Sequence, residues 1–206
     1  MRILFQGDSI TDVGRNRSDI NSIGGGYPML VKATLGYENP LAYEFINKGI
    51  GGNRIVDLYA RIRNDIINLK PDVMSILIGV NDVWHEFASS PNGVDADKFY
   101  KVYSMLIEEI KAALPDIKIM ILEPFVLRAS ATDAKWEGFS TEVPKRAAMA
   151  KKIAETYGLT FIPLQEGFDE LCKKAPADYW LADGVHPTKM GHEYIKTRWI
   201  EAFKTL

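Results

Sequence analysis

Residues 2–11 read RILFQGDSIT and join a short apolar run to a polar turn. An apolar run of this length that ends at glycine is typical of a buried β-strand. Gly7 permits a tight bend with close approach of the backbone, so the strand can end abruptly. We therefore expect a strand over residues 2–6 and, directly after it, an exposed hydroxyl group on Ser9.

Similar apolar runs occur later in the chain, and stretches with helical spacing of apolar residues lie between them, for example residues 55–68 and 97–114. These later candidate strands cover residues 43–47, 73–78, 117–122 and 159–163. Strands that alternate with helices imply crossover connections and a parallel sheet covered on both faces. The sequence therefore predicts a three-layer α/β/α protein with a flavodoxin-like five-stranded parallel sheet of order 2-1-3-4-5.

The length and composition are those of a globular protein with one core. A chain of 206 residues fits a single core, so we expect residues 1–206 to form one domain. Hydrophobic residues make up 47% of the chain, and 25 basic against 27 acidic residues leave a net charge of -2. This balance gives no indication of binding to nucleic acid or to an anionic membrane surface.

Targeting signals are not recognisable in the sequence. The first apolar stretch passes directly into a polar turn, unlike a secretory signal peptide, and no apolar run approaches the roughly 20 residues that span a bilayer. Cys172 is the only cysteine, so no internal disulfide can form. We therefore expect a cytoplasmic protein.

Three of the predicted strands end in turns that suit a ligand site. The first strand leads into residues 7–11, the second into residues 49–53 (GIGGN) and the third into residues 79–82 (GVND). In a sheet of order 2-1-3-4-5 these turns are neighbours at the carboxyl edge, where such folds bind their ligands.

The residues in these turns are those that acyl-transfer chemistry requires. Ser9 supplies a hydroxyl nucleophile, and its backbone N–H can help to bind the oxyanion that forms when an ester is attacked. A backbone N–H of Gly51 or Gly52 and the side-chain amide of Asn81 can complete a three-donor oxyanion hole.

A serine nucleophile also needs a base, and histidine is the usual one. The chain has only three histidines, His85, His186 and His192. In residues 181–188 (LADGVHPT), Asp183 precedes His186 by three positions. This spacing lets the carboxylate accept a hydrogen bond from Nδ1–H and leaves Nε2 for Ser9. Thr188 is then placed to cap the last helix.

These blocks resemble those of the SGNH, or GDSL, hydrolases, in the order of that superfamily. The matching positions are Gly7-Asp8-Ser9, Gly52, Gly79-x-Asn81-Asp82 and Asp183-x-x-His186-Pro187. The flanking sequences GDSITDVGR, NKGIGGNRI, KPDVMSILIGVNDVW and VHPTKMGH resemble the intracellular acetylxylan and xylo-oligosaccharide esterases of this superfamily. The resemblance implies an SGNH hydrolase fold, Gly52 as the glycine donor, no cofactor, and removal of acetyl groups from short acetylated sugars.

Each candidate residue has a structural alternative. Ser9 can instead cap a helix, Asp183 and His186 can form a solvated pair in a loop, and Asn81 can tie its loop to the backbone. We expect Asp82 to be a structural partner. The spacing of the histidines and acidic residues matches no metal-binding motif, so we expect no metal site.

Further residues are candidates for contact with substrate or for the entrance to the site. The candidate aromatic contacts are Trp84, Trp136 and Trp180, whose flat faces can stack on a sugar ring, although core packing is the alternative. Trp199 is expected in the core, and Arg15 and Arg17 are expected at the entrance. Residues 124–140 fit neither period, and we expect a loop that forms a lid or a wall of the site.

The sequence thus predicts a serine esterase that acts on short-chain acetyl esters, with acetylated xylo-oligosaccharides or similar sugars as substrates. A lysophospholipase or acyl-thioesterase with the same triad is one alternative. A catalytically silent carbohydrate-binding protein is an alternative of another class. The expected partner is a small-molecule ester, and assembly into a homo-oligomer is left open.

Overall fold

The computed structural model describes residues 1–206 and contains one five-stranded parallel sheet. The strands are β1 (Arg2–Gly7), β2 (Glu44–Asn47), β3 (Val73–Leu77), β4 (Lys118–Leu122) and β5 (Thr160–Ile162). Their order is β2-β1-β3-β4-β5, and every neighbouring pair is parallel. The predicted fold class and strand order are therefore confirmed.

Helices follow the strands along the chain. They are α1 (Ser9–Asp12), α2 (Tyr27–Glu38), α3 (Ile55–Ala60), α4 (Ile62–Asp65), α5 (Val80–Trp84), α6 (Ala96–Ala113), α7 (Trp136–Tyr157), α8 (Gln165–Leu171), α9 (Ala177–Trp180) and α10 (Lys189–Phe203). Short 3₁₀ turns cover Ile67–Leu69, His85–Phe87 and Asp133–Lys135. None of the helices combines the length and the apolar content that crossing a membrane requires.

Two apolar clusters cover the two faces of the sheet. Side chains alternate along β1, so Ile3 and Phe5 join helices α2 and α10 on one face, whereas Leu4 joins α3, α6 and α7 on the other. Trp199 of α10 is fully buried in the first cluster, as predicted. Both faces are therefore closed, and the carboxyl edge of the sheet is left for the loops.

The strand ends lie level with one another at this edge. Gly7 at the end of β1 pairs with Leu77 at the end of β3, and Leu77 pairs with Leu122 of β4. A Cβ atom on residue 7 would lie 2.4 Å from the Leu77 carbonyl oxygen, so only glycine fits at this point. The turns that follow β1, β2 and β3 are therefore brought together as expected.

The helix predicted over residues 55–68 is wrong in one respect, because the chain forms three short helical pieces there. The break lies at Arg61, whose backbone angles of φ -111° and ψ 17° end α3 and begin α4. The apolar positions on either side still face the core, since Leu58 and Ile62 are buried. The apolar spacing thus predicted the buried face correctly and gave no sign of the break.

The loop predicted over residues 124–140 is shorter than expected, because α7 already begins at Trp136. Pro144 lies inside this helix, and Gly138 lies in its first turn, and both residues are poor helix formers. Because of these two residues, the helical spacing of the buried positions, which include Phe139 and Val143, was not recognised in the sequence. Residues 124–135 remain the irregular segment at the edge of the site.

Candidate active site

Ser9 is the first residue of α1 and lies directly beyond the end of β1. The helix is capped by Asp8, whose carboxylate accepts the Ile10 N–H at 2.9 Å, so the alternative in which Ser9 is the cap does not apply. The Ser9 Oγ atom lies 2.9 Å from Nε2 of His186. The nucleophile and the base expected from the sequence are therefore within hydrogen-bonding distance.

Asp183 orients the His186 ring from the opposite side. The Asp183 Oδ2 atom lies 2.7 Å from Nδ1 of His186, and Oδ1 accepts the backbone N–H groups of Val185 at 2.9 Å and His186 at 2.8 Å. Burial raises the pKa of the Asp183 carboxyl, but the hydrogen bonds from His186 and Val185 lower it further, so the net pKa lies below its ordinary value. The carboxylate is thus held in its charged form.

The loop that carries these residues is fastened to α9 and α10. The Ala182 N–H is donated to the His186 carbonyl at 2.8 Å, and the Thr188 N–H is donated to the Trp180 carbonyl at 2.9 Å. The Thr188 hydroxyl accepts the Gly191 N–H at 3.3 Å, which confirms the predicted cap on the last helix.

The two candidate glycines differ in what their backbone N–H groups contact. The Asn53 N–H is donated to the Ile50 carbonyl at 3.1 Å, and Gly52 has φ +81°, as in a type II turn whose third residue is glycine. The Gly51 N–H is donated to the Asp12 carboxylate at 3.2 Å, whereas the Gly52 N–H has no acceptor in the protein. Gly52 is therefore the glycine whose N–H is free to bind a ligand.

Asn81 and Asp82 follow β3 and have different roles. The Asn81 Nδ2 atom donates to the Asn53 carbonyl at 3.2 Å, which leaves its second hydrogen for another acceptor. Asp82 is fully buried and accepts the Ile55 N–H at 3.1 and 3.3 Å, in the structural role expected for it. Asn81 thus ties its loop to the turn that contains Gly52 and can still donate to a ligand.

The other two histidines do not contact Ser9. His192 is buried and its Nδ1 atom accepts the Tyr27 N–H at 3.1 Å. Burial, together with the charge of His186, lowers the pKa of His192 to about 4. The pKa of His85 is also lowered, by burial and by the charge of Arg54. The structure contains no group of three or more histidine, cysteine or acidic side chains arranged to hold a metal ion.

The sequence model of the GDSL-like lipase/acylhydrolase family matches residues 5–194, which includes every residue of the site described above. This chain belongs to the GDSL-like lipase/acylhydrolase family. The expected class of carboxylic ester hydrolase is thereby confirmed.

Relatives of this GDSL-family chain agree in both sequence and fold. An acetylxylan esterase from Geobacillus stearothermophilus is 34% identical over 200 residues, or 93% of this chain and 88% of the relative. A crystal structure of an acetylxylan esterase from that organism gives a TM-score of 0.87 at 32% identity and covers 98% of this chain and 93% of its own. A structure described as a GDSL-like lipase from Parabacteroides merdae gives a TM-score of 0.90 at 38% identity, over 100% of this chain and 96% of that chain.

The Geobacillus esterase has also been solved as variants described as catalytic mutants. In these variants a serine, an aspartate or a histidine is replaced by alanine, and the aspartate and the histidine lie three positions apart. Asp183 and His186 have the same separation in this GDSL-family chain.

The three candidate tryptophans have different surroundings. Trp84 is half-buried, its ring centroid lies 6.1 Å from that of His186, and its edge-to-face contact with Phe139 at 5.5 Å holds it in place. Trp136 is the first residue of α7 and lines a groove of about 490 Å³ together with residues 126–128. Trp180 packs against the core and donates its indole N–H to the Ala175 carbonyl at 3.3 Å. Only Trp84 is in contact with the histidine of the site.

The irregular segment before α7 is attached to the histidine loop. The Leu127 N–H is donated to the Gly184 carbonyl at 2.9 Å, and the Ala131 N–H is donated to the Asp183 carbonyl at 3.0 Å. Thr132, which belongs to the segment, is fully buried and donates its hydroxyl to the Leu127 carbonyl at 2.7 Å. Two backbone hydrogen bonds to the histidine loop are expected of a segment that forms a fixed wall of the site, rather than of a lid that opens.

The two arginines expected at the entrance are engaged with backbone and with Asp12. Arg15 is buried and donates from Nε to the Gly49 carbonyl at 2.8 Å, so it does not line an entrance. Arg17 is more than half exposed and forms an ion pair with Asp12 at 2.7 Å. Both side chains thus hold the loops around Ser9 rather than offer free charges to a substrate.

Several of the residues that hold the site together were not found from the sequence. Asp12 fixes the Gly51 N–H, and Asn47 at the end of β2 donates to the Thr11 carbonyl at 2.6 Å and accepts the Gly49 N–H at 2.8 Å. The position of Asp12 one helical turn after Ser9 is the only local signal for such a role. The contacts between Asn47 and Thr11 and between Asp12 and Gly51 connect the two loops, and no spacing rule predicts them.

Proposed function

We propose that this GDSL-family chain is a serine esterase that removes acetyl groups from short acetylated sugars, with xylo-oligosaccharides as the leading candidate. The observation that carries the proposal is the series of contacts from Ser9 Oγ to His186 Nε2 at 2.9 Å and from His186 Nδ1 to Asp183 at 2.7 Å. The likeness to an acetylxylan esterase supports the choice of acyl group and sugar.

In the first half-reaction the Ser9 hydroxyl attacks the carbonyl carbon of the ester, and Nε2 of His186 accepts its proton. The electron pair of the carbonyl bond moves to the oxygen, and the oxyanion accepts hydrogen bonds from the Ser9 N–H, the Gly52 N–H and the Asn81 amide. When the intermediate collapses, the bond between the acyl carbon and the sugar oxygen breaks, and His186 donates its proton to that oxygen, so the sugar leaves with a free hydroxyl group. The acetyl group is then bound to Ser9 as an ester.

In the second half-reaction a water molecule takes the place of the sugar. His186 accepts a proton from the water, whose oxygen attacks the acyl carbon, and the same donors bind the new oxyanion. Collapse of this intermediate returns the proton from His186 to the Ser9 oxygen and releases acetic acid. Asp183 remains charged throughout and stabilises the protonated imidazole ring.

Trp84 is the residue that we assign to the sugar. Because His186 protonates the leaving group, the sugar must pass beside the imidazole ring, and the Trp84 ring lies 6.1 Å from that ring. Its contact with Phe139 keeps the indole fixed, so its remaining face can stack on a pyranose ring. Trp136 borders the groove lined by residues 126–128 and is a second candidate for contact with longer substrates.

The first test replaces Ser9 by alanine and measures hydrolysis of p-nitrophenyl acetate. We expect loss of activity at unchanged thermal stability, because the nucleophile is removed and no buried contact is lost. Ser18→Ala is the matched control, since Ser18 is an exposed serine in the neighbouring loop and should retain full activity. Hydrolysis by Ser9→Ala at the wild-type rate would contradict the assignment of Ser9 as the nucleophile.

The substrate is tested by comparing esters of graded chain length and by measuring acetate release from acetylated xylo-oligosaccharides. We expect acetyl esters to be hydrolysed faster than octanoyl esters. A preference for the octanoyl ester would favour the lysophospholipase or acyl-thioesterase alternative. Failure to hydrolyse any ester, together with failure of an organophosphonate to label Ser9, would favour the silent carbohydrate-binding protein.

A further inference from the structure

A single guanidinium group connects the segments that carry the proposed oxyanion donors. The Arg61 side chain donates from Nε to the Asn53 Oδ1 atom at 2.9 Å, from Nη1 to the Lys48 carbonyl at 2.8 Å and from Nη2 to the Gly7 carbonyl at 3.3 Å. Asp65 balances its charge at 3.0 Å. The side chain is only 14% exposed, so these bonds are shielded from water.

Two of these acceptors lie on residues close to a proposed donor. Gly7 lies two residues before Ser9, and Asn53 directly follows Gly52. The backbone carbonyl of Asn53 also accepts the Asn81 amide at 3.2 Å. Arg61 thus reaches the surroundings of all three donors, although it contacts none of them directly.

The local backbone is shaped so that this side chain can reach the strand ends. The helical segment breaks at Arg61 itself, where ψ is 17°. Arginine suits the position because its planar fork presents several N–H donors in a fixed arrangement, whereas a lysine presents a single flexible ammonium group. Two of its acceptors, the Lys48 and Gly7 carbonyls, are backbone groups, which every residue has, so the sequence alone does not indicate them.

We propose that Arg61 is a positioning residue of the esterase, which holds the Gly52 N–H, the Asn81 amide and the turn before Ser9 in the geometry that binds the oxyanion. The inference rests on the proposed function. Displacing a catalytic group by about 1 Å can lower a rate by about 100-fold, so the positioning of these donors has a measurable effect on kcat. Substrate binding before the chemical step does not depend on them, because they act on the oxyanion.

The test measures kcat and KM for p-nitrophenyl acetate in Arg61→Ala and Arg61→Lys. We expect kcat to fall by about 10- to 100-fold at nearly constant KM, which is less than the loss expected when a donor is removed outright. Arg61→Lys should fall nearly as far, because a single ammonium group cannot make the forked contacts. Arg63→Ala is the matched control, since Arg63 lies two residues after Arg61, in α4, and is exposed.

A double-mutant cycle separates positioning from general support of the fold. If Arg61 acts through the Asn53–Asn81 contact, Arg61→Ala should lower kcat by a smaller factor in the Asn81→Ala background than in the wild type. Asn53→Ala gives a second, milder variant, because it removes only the Oδ1 acceptor and leaves the other contacts of Arg61. We expect it to lower kcat by several-fold with KM unchanged, which decides the question if Arg61→Ala fails to fold.

The outcomes distinguish this inference from the proposed function. If the wild type hydrolyses the acetate ester and Ser9→Ala does not, the esterase assignment stands whatever Arg61 does. In that case an unchanged kcat in Arg61→Lys and Asn53→Ala overturns the inference alone, as does a full effect of Arg61→Ala in the Asn81→Ala background. A wild type without esterase activity overturns both.

Discussion

At the scale of single residues, the turn from Ile50 to Asn53 decides which backbone N–H faces the site. Gly52 has φ +81°, where a residue with a Cβ atom is strained by about 1 to 2 kcal/mol. Gly52→Ala should therefore favour a turn in which the peptide between residues 51 and 52 is rotated and its N–H points elsewhere. Because an oxyanion donor is lost, we expect kcat for p-nitrophenyl acetate to fall by about 10-fold or more with little change in KM.

Gly51→Ala is the matched control for this prediction. Gly51 has no positive φ, and a Cβ atom there would lie 3.7 Å from the Ser9 Cβ atom, which is ordinary contact. Its N–H is already bound by Asp12, so it does not act on the substrate. We expect this variant to keep most of its activity. Equal losses in the two glycine variants would contradict the assignment of Gly52 as the donor.

The residues that could be predicted from the sequence are those with a local pattern. Ser9 follows a strand, and Asp183 lies three positions before His186, so short-range geometry brings the aspartate and the histidine together. Arg61 and Asp12 gave no such signal, because the backbone groups that they bind lie 13 to 54 residues away in the sequence. Hydrogen bonds to distant backbone have no sequence code, and they become visible only in the folded chain.

At the scale of elements, the loop that carries His186 depends on the cap of the last helix. The Thr188 hydroxyl accepts the Gly191 N–H and donates to the Tyr179 carbonyl at 2.7 Å, so it joins α10 to α9. Thr188→Ala should lower the free energy of unfolding by about 1 kcal/mol, because both bonds are lost. Denaturant unfolding measures this change. Thr188→Ser keeps the hydroxyl and should lose much less, and equal losses would show that the methyl group rather than the cap matters.

The strands were more predictable than the helices around the site. Each predicted strand agrees with an observed one to within one residue at either end, because a short apolar run bounded by turns leaves few alternatives. The apolar spacing over residues 55–68 predicted a continuous helix, and the loop before α7 was predicted to extend to residue 140. In both regions tertiary contacts determine the bounds: the break falls where Arg61 binds the strand ends, and α7 continues through Pro144 because its apolar stripe is buried.

At the scale of the whole molecule, two buried groups give opposite dependences of stability on pH. Burial raises the pKa of Asp8 to about 7, although its bond to the Ile10 N–H and the charge of His186 oppose this. Burial also lowers the pKa of His192 to about 4. In the folded chain the Asp8 carboxyl therefore stays neutral up to about pH 7. The His192 ring stays neutral in the folded chain down to about pH 4.

The sign of each contribution follows from the protons bound in the folded and unfolded chains. Between pH 4 and 6.5 the folded chain holds the Asp8 proton that the unfolded chain has lost, so this residue makes stability fall as pH rises. In the same interval the unfolded chain holds a proton on His192 that the folded chain has lost, so this residue makes stability fall as pH decreases. The two slopes oppose each other in the wild type.

Asp8→Asn and His192→Asn should each remove one of these slopes. Asparagine can accept the Ile10 N–H in the first variant and the Tyr27 N–H in the second, so the hydrogen bonds can persist without a titrating group. Relative to the wild type, Asp8→Asn should gain stability as pH rises through this interval and His192→Asn should lose it, each by up to about 1 kcal/mol per pH unit. Denaturant unfolding at several pH values measures the differences. Packing losses in the variants do not vary with pH. If the free energy of unfolding varied with pH in the same way in a variant and in the wild type, the replaced residue would have its ordinary pKa in the folded chain, which would contradict the prediction.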